Sequence, residues 1–293
     1  MNHKAGFVCI IGKPNVGKST LMNALLGEKI SIISPKVQTT RNRILGILSK
    51  ENYQMVFSDT PGIIDPKYKL QSSMMHSVNE GLKDADVVLF LTDSDPRNYT
   101  DEIIERLKLI KTPLIVVLNK VDKSDEKNIL EKINELEGKI PCRELIPISA
   151  LNKFNLEQLL NVILKELPEA PSYFPDDQLT DKSERFIAAE ILREKIFSRY
   201  KEEIPYSVQV EIATFKDEPD ILKIEAEIFV MRDSQKQILI GKGGIALKNV
   251  GVAARRDLEK FFGKQIFLKT LVKVKVNWRD DDLSLKHFGY GKN

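Results

Sequence analysis

An α/β domain built on a mostly parallel sheet, followed by a smaller α+β domain, is the fold class this chain predicts, and three observations predict it. Apolar runs rich in β-branched residues alternate with turns or helically spaced segments over the first 170 residues, as expected of strands covered on both faces. The loop Gly12-Lys13-Pro14-Asn15-Val16-Gly17-Lys18-Ser19 falls between the first such run, Gly6 to Ile11, and the helically spaced Thr20 to Leu26. Beyond a proline-rich stretch, the pattern reads helix, strand, strand, helix, helix, strand.

The loop comes first. G-x-x-x-x-G-K-S between a strand and a helix aims successive backbone N–H groups and a helix N-terminus at the phosphates of a nucleotide, which defines a P-loop NTPase domain. Lys18 is expected at the β- and γ-phosphates and the Ser19 hydroxyl on Mg²⁺, with Thr20 opening the helix.

The next strand, Tyr53 to Phe57, runs into Asp59-Thr60-Pro61-Gly62. A carboxylate here can hold Mg²⁺ through water, and the Gly62 amide can meet the γ-phosphate. Between the two loops lies Ser31 to Arg41, polar and proline-containing as expected of a mobile loop.

Further strands are read at Val87 to Leu91, Leu114 to Leu118 and Leu145 to Ile148. Asn119-Lys120-Val121-Asp122 ends the second of these, and its chemistry selects guanine. The Asp122 carboxylate can accept from guanine N1–H and N2–H, whereas adenine would leave it unpaired, a loss of typically a few kcal/mol. Asn119 is expected to tie this loop to the phosphate loop, and the stem of Lys120 to cover one face of the base. After the last strand, Ser149-Ala150-Leu151 places the Ala150 amide where guanine O6 can accept it. Taken singly, N-K-x-D and D-T-P-G are also sequences of solvated turns. Four such elements in this order resemble the GTPase domain of the translation-factor-related class. GTPases of that class keep the first switch at the place of Ser31 to Arg41, and Thr40 is the choice for the hydroxyl completing Mg²⁺ coordination, with Thr39 the near alternative.

Position 63, where GTPases of the Ras type carry a water-orienting glutamine, holds Ile63. Slow intrinsic turnover is the expectation, with Lys18, Asn15, Thr40 and Gly62 as the catalytic set. The resemblance to potassium-dependent GTPases implies that Asn15 helps hold a K⁺ ion beside the phosphates; shaping the turn is its other reading.

Leu167 to Asp176 is rich in proline and reads as a semi-rigid linker, giving domains at 1–170 and 181–293 joined by 171–180. Beyond it, Asp181 and Glu184 suggest a helix start, Ala188, Leu192, Ile196 and Tyr200 a helical stripe, and Tyr206 to Ile212 and Lys223 to Ile228 strands. A short helix to Ile240, the loop Gly241-Lys242-Gly243-Gly244, an amphipathic helix from Ile245 to Phe262 and a strand from Ile266 to Asn277 complete the order. This pattern resembles a type II KH domain, whose G-x-x-G loop admits a nucleic-acid backbone because no Cβ blocks it, in a groove for about four nucleotides. Gly241, Lys242, Gly243, Gly244, Lys248 and Arg255 are the expected RNA contacts.

Charge supports that reading. The net charge of +3 conceals twelve Lys or Arg against three Asp or Glu from Arg232 to Arg279, with a deficit of six over the rest. With 293 residues and 42% apolar content, two soluble domains are expected. No run reaches the ~20 apolar residues of a membrane span, so the expected location is the cytoplasm. Cys9 and Cys142 read as buried thiols without a functional role.

Over nearly its whole length the chain resembles the ribosome-assembly GTPases of the Era family, including the string Gln38-Thr39-Thr40-Arg41. The resemblance implies GTP/GDP and Mg²⁺ as cofactors. It also implies 16S rRNA near its 3′ end and the 30S subunit as partners, a role in small-subunit maturation, and a monomer. A regulatory GTPase whose basic end docks a protein, or the inner membrane face as a weak peripheral contact, is the alternative.

Overall fold

The computed structural model describes residues 3–290. Contacts divide them into two compact units, one of Met1–Ser31, Thr40–Asp65 and Met74–Asp181, the other of Ile32–Thr39, Pro66–Ser73 and Lys182–Asn293.

The first unit holds a six-stranded sheet in the order β2-β3-β1-β4-β5-β6, formed by β1 (Lys4–Ile11), β2 (Ile44–Lys50), β3 (Tyr53–Asp59), β4 (Val87–Thr92), β5 (Leu114–Leu118) and β6 (Glu144–Pro147). Only β2 runs antiparallel to its neighbour. Helices α1 (Lys18–Leu26), α2 (Lys69–Lys83), α3 (Asp101–Lys108), α4 (Glu126–Lys139) and α5 (Leu156–Glu166) fall between or after the strands.

All residues of β4 and β5 are buried, which is why these strands read as unbroken apolar runs rather than alternating ones. On one side of the sheet Ile11, Phe90, Val116 and Leu118 pack with Ile103, Ile104 and Leu107 of α3 and Leu136 of α4. Truncating Phe90 to alanine there would cost about 3–5 kcal/mol. The parallel register pairs Ile10 with Asp59, Ile11 with Phe90 and Leu118 with Pro147, so the carboxyl ends of five strands share one edge. Loops leaving that edge form the ligand-binding side of such sheets.

β2, whose Gly46 and Ser49 interrupt its apolar run, carries no strand expectation from sequence. It is an edge strand, and the segment just after the proline-rich stretch covers it: Ile47 N–H donates to Leu179 O at 2.9 Å, Thr180 Oγ1 to Leu45 O at 2.6 Å and Leu45 N–H to Asp181 Oδ1 at 2.9 Å. The buried Gln54 side chain accepts from Tyr173 N–H and Phe174 N–H and donates to Phe174 O. In this unit the expected linker is therefore hydrogen-bonded structure.

The second unit is built on a three-stranded sheet, β7 (Gln209–Asp217), β8 (Ile221–Val230) and β9 (Gln265–Val274), with β8 central, antiparallel to β7 and parallel to β9. Helices α6 (Glu184–Arg199) and α9 (Ile245–Phe262) pack on the sheet through Leu192, Ile196, Val250 and Ala254 against Ala226 and Ile228. The i, i+4, i+8 spacing of Val250, Ala254 and Leu258 is the buried stripe of α9. Tyr206 and Ser207, expected to begin a strand, lie in the short helix α7 (Ile204–Ser207), where Pro205 occupies a first-turn position that needs no N–H. Trp278 is fully buried and donates Nε1–H to Ser207 O at 2.8 Å, so it packs rather than stacks on a base.

Candidate nucleotide site and RNA-facing loop

The phosphate loop leaves β1 at Ile11 and enters α1 at Lys18. Gly12 and Gly17 have φ of 150° and 106°, and a Cβ on Gly17 would lie 2.3 Å from Asn119 Nδ2. Glycine at 17 is therefore fixed by conformation and by close packing. Lys18 is buried and donates from Nζ to Gly12 O at 3.1 Å and Lys13 O at 2.9 Å, while Val16 is fully buried beneath the loop. Burial brings the Lys18 ammonium down to about 8, partly opposed by Asp59. A buried cation with only carbonyl partners is prepared for an anion.

Ser19, Thr40 and Asp59 converge beside it. Ser19 Oγ donates to Asp59 Oδ2 at 2.7 Å and lies 3.0 Å from Thr40 Oγ1, which is 3.5 Å from the same carboxylate oxygen. Asp59 is fully buried, and its Oδ1 has no hydrogen-bond partner. Burial pushes the Asp59 carboxyl above its usual range, against the bond from Ser19 and the charge of Lys18. Two hydroxyls and a carboxylate with a spare buried oxygen fit Mg²⁺, a hard cation that takes oxygen ligands. The Thr39 hydroxyl instead donates to Lys36 O at 2.6 Å.

In the second loop, Thr60 Oγ1 donates to Ile10 O at 2.7 Å and Ile63 N–H to Gly12 O at 3.0 Å. A Cβ on Gly62 would meet the Pro14 ring and the Pro14 nitrogen, each at 2.7 Å. Pro61 and Gly62 thus carry the second loop directly against the first. The Ile63 side chain packs on the cluster of Ile11 and Phe90.

At the purine end, Asn119 Nδ2 donates to Val16 O at 2.8 Å and Asn119 Oδ1 accepts from Ala150 N–H at 3.0 Å. One side chain thereby joins three loops. Asn119 follows β5 directly, and its bond to the Ala150 amide sets that amide beside the purine end of the site. Ser149 Oγ donates to Asp122 Oδ1 at 2.5 Å, fixing the carboxylate, and Val121 N–H donates to Ile148 O at 3.2 Å. Lys120 has a left-handed backbone, φ 64°, and its ammonium donates to Asn15 O at 2.6 Å and Asp93 Oδ2 at 2.7 Å. Asn15 is left-handed as well, φ 66°. Asp93 was missed from sequence, although an acid directly after the buried run of β4 resembles the placement of Asp59 at the last position of β3.

In the second unit, α8 (Asp233–Ile240) ends at Gly241, and Lys242–Gly244 form a 3₁₀ turn into α9. Gly243 and Gly244 have φ of 59° and 77° with open space around them, so conformation rather than crowding calls for glycine. Lys242 and Lys248 are exposed, and Ile238, Ile245 and Val252 leave apolar surface around the loop. Arg255 lies elsewhere: eleven residues beyond Gly244, about 16 Å along α9, it lines an open cleft of about 700 Å³ with Lys264 and Phe267. The lysines of β9 are largely neutralised, Lys269 by Glu225 at 3.0 Å and Lys273 by Glu227 at 2.5 Å. Among the described residues Lys242 and Lys248 have no such partner, so uncompensated charge lies at the loop and the first turn of α9.

These two sites agree with the relatives found. A family model described as a 50S ribosome-binding GTPase matches residues 7–120, and a KH-domain model matches 203–279. A crystal structure of Era in complex with MgGDPNP and nucleotides 1506–1542 of 16S ribosomal RNA is 44% identical, covers 99% of this chain and 100% of its own, and superposes with a TM-score of 0.94. The chain belongs to the Era family. A second Era, from Aquifex aeolicus, carrying a tyrosine-to-alanine substitution and bound to GDP·AlF4⁻, matches with the same identity, coverage and TM-score. The fold expected from sequence, a P-loop domain followed by a KH domain, is thus the Era fold.

Proposed function

We propose that this Era-family chain binds and hydrolyses GTP, binds 16S rRNA near its 3′ end and acts in assembly of the 30S subunit. The observation that carries the reading is the coexistence in one chain of the Asn119-centred guanine loops with an uncompensated basic G-x-x-G loop, in a relative of the Era solved with MgGDPNP and 16S rRNA. Lys18 receives the phosphates, Asp122 reads the guanine edge, and Ser19, Thr40 and Asp59 are the residues to hold Mg²⁺, which would neutralise phosphate charge when bound. Gly241 to Gly244 approach the RNA backbone, and Lys248 and Arg255 meet phosphates further along α9.

Hydrolysis is slow in the isolated protein, since Ile63 packs on the core and orients no water. K⁺ held at Asn15 offsets part of the charge that develops on the phosphates. Turnover in K⁺ against Na⁺ decides this; equal rates would remove the cation. The protein acts as a monomer in the cytoplasm, where weak contact with the membrane face uses the same basic surface. No described helix is long and apolar enough to cross a membrane.

The decisive experiment measures binding of a short single-stranded RNA from the 16S 3′ end, with GTP and with GDP, to the parent and to Lys242→Asp/Gly243→Asp. Nucleotide-sensitive binding lost in the variant supports the reading. Equal weak binding by both would assign the basic surface to a protein or anionic membrane instead.

A further inference from the structure

Asp93 is an acid at the nucleotide-binding edge with no task at the phosphates or at the hydrogen-bonding edge of the base. It follows β4 directly, and its side chain is 13% exposed. Asp93 Oδ1 is fully engaged, accepting from Asn98 Nδ2 at 2.6 Å and from Asp95 N–H at 3.0 Å. Those two bonds fix the rotation of the carboxylate and leave Oδ2 for the Lys120 ammonium at 2.7 Å. The neighbouring acid does not compete for it, because both oxygens of Asp95 are taken by Arg97.

The second bond of that ammonium runs to Asn15 O in the phosphate loop, so the tip of Lys120 is held at two points while its backbone sits in the left-handed region. A residue with a Cβ visits that region only when its surroundings hold it there. Here backbone bonds on either side, Asn119 N–H to Thr92 O and Val121 N–H to Ile148 O, fix the loop, and the two ammonium bonds stretch the four-carbon stem between the β5 loop and the end of β4.

We propose that Asp93 is a positioning residue for base recognition, holding the Lys120 ammonium so that the Lys120 stem lies along one face of the guanine. The inference rests on the guanine reading of the site and adds a residue that reads nothing itself. An ion pair that merely fastened two loops would stabilise the fold without touching nucleotide affinity. A stem pressed on the ring face has a different signature: the face is common to purines that differ at N2, so its loss weakens them alike.

Calorimetric titration of the full chain with GDP, IDP and ADP tests this, using the parent, Asp93→Ala, Lys120→Met and the double variant, with melting temperatures recorded for each. Asp93→Ala is expected to weaken GDP and IDP by the same factor, about tenfold for loss of a charge-assisted bond, and to have no further effect when Lys120→Met is already present. Asp93→Asn, which keeps the shape and removes the charge, carries the same comparison if the alanine variant does not fold. An equal loss in both lysine backgrounds, or unchanged GDP affinity with a lowered melting temperature, would overturn the role of Asp93. A parent that binds ADP as tightly as GDP would overturn the guanine reading itself, and this role with it.

Discussion

Asn119 donates to Val16 O at 2.8 Å across 103 residues of sequence, and the same side chain accepts from Ala150 N–H. All three groups are buried, so neither the carbonyl nor the amide has water to fall back on. Asn119→Ala would leave two buried backbone groups unpaired at about 1–3 kcal/mol each. The expected outcome is a fall in GDP affinity of about 100-fold together with a lower melting temperature of the nucleotide-free protein. Asn119→Asp keeps an acceptor for Ala150 but sets a buried carboxylate oxygen against Val16 O, so its loss should be at least that of Asn119→Ala. Dissociation rates of a fluorescent GDP decide the matter, and rates equal to the parent's would show that the three loops hold their places without this side chain.

Gly62 leaves no room for a side chain. A methyl group there would press on the Pro14 ring and nitrogen at 2.7 Å, and backbone of a phosphate loop cannot yield as the end of a flexible side chain can. Gly62→Ala should therefore push the second loop away from the first and break the Ile63 N–H bond to Gly12 O. Only the γ-phosphate is expected to use the Gly62 amide, so affinity for a GTP analogue should fall about tenfold or more while GDP affinity stays near the parent's. Parallel losses for both nucleotides would show that the loop serves the β-phosphate or the fold instead.

The nucleotide loops were legible in the sequence because each is a run of fixed residue types at the end of an apolar strand, and parallel register brings such ends to one edge. What escaped reading depends on partners remote in sequence. β2 pairs along one edge with β3 and along the other with Leu179 and Thr180, so its strand character comes from neighbours rather than from its own mixed residues. Tyr206 and Ser207 alternate like a strand, yet Pro205 and the Trp278 bond to Ser207 O draw them into a helix and its packing. Arg193 looks like a solvated helix residue but is 1% exposed, paired with Glu190 at 2.5 Å and bonded to Thr39 O within the second unit. Position 193 departs from the apolar stripe of α6, and no periodicity marks a charge for burial.

Cys9 offers a chemical clock for unfolding. It lies in β1 at 1% exposure, and burial pushes its thiol up to about 12 from 9.0, so the thiolate is about one part in a thousand at pH 9. Because the folded chain holds this proton more tightly than the unfolded one, the thiol's contribution to stability is intact below pH 9 and is lost as pH rises from 9 towards 12. Cys142 is only partly buried, with a thiol raised by desolvation as well. Alkylation of the native protein at pH 8, followed by peptide mapping, should modify Cys142 first and Cys9 only at the rate of global opening. Comparable native-state rates at the two thiols would mean that β1 opens locally.

Lys242 lies in the loop that opens α9, and Arg255 about 16 Å along the helix from that loop, because α9 rises about 1.5 Å per residue. A KH groove takes about four nucleotides at the G-x-x-G loop, so an RNA of that length should reach Lys242 and fall short of Arg255. Lys242→Ala is expected to weaken short and long single-stranded RNAs alike and to lower the salt dependence by about one counterion. Arg255→Ala should leave a four-nucleotide RNA unaffected and weaken only longer ones, with the same change in salt slope. Arg255 also lies 3.6 Å from Glu259, a half-exposed pair whose loss costs the fold at most about 1 kcal/mol, so its effect on long RNAs should appear without a change in melting temperature. Fluorescence anisotropy of a length series over a range of salt concentrations measures both slopes. Equal sensitivity of the shortest RNA to both substitutions would place the RNA along α9 rather than across the loop.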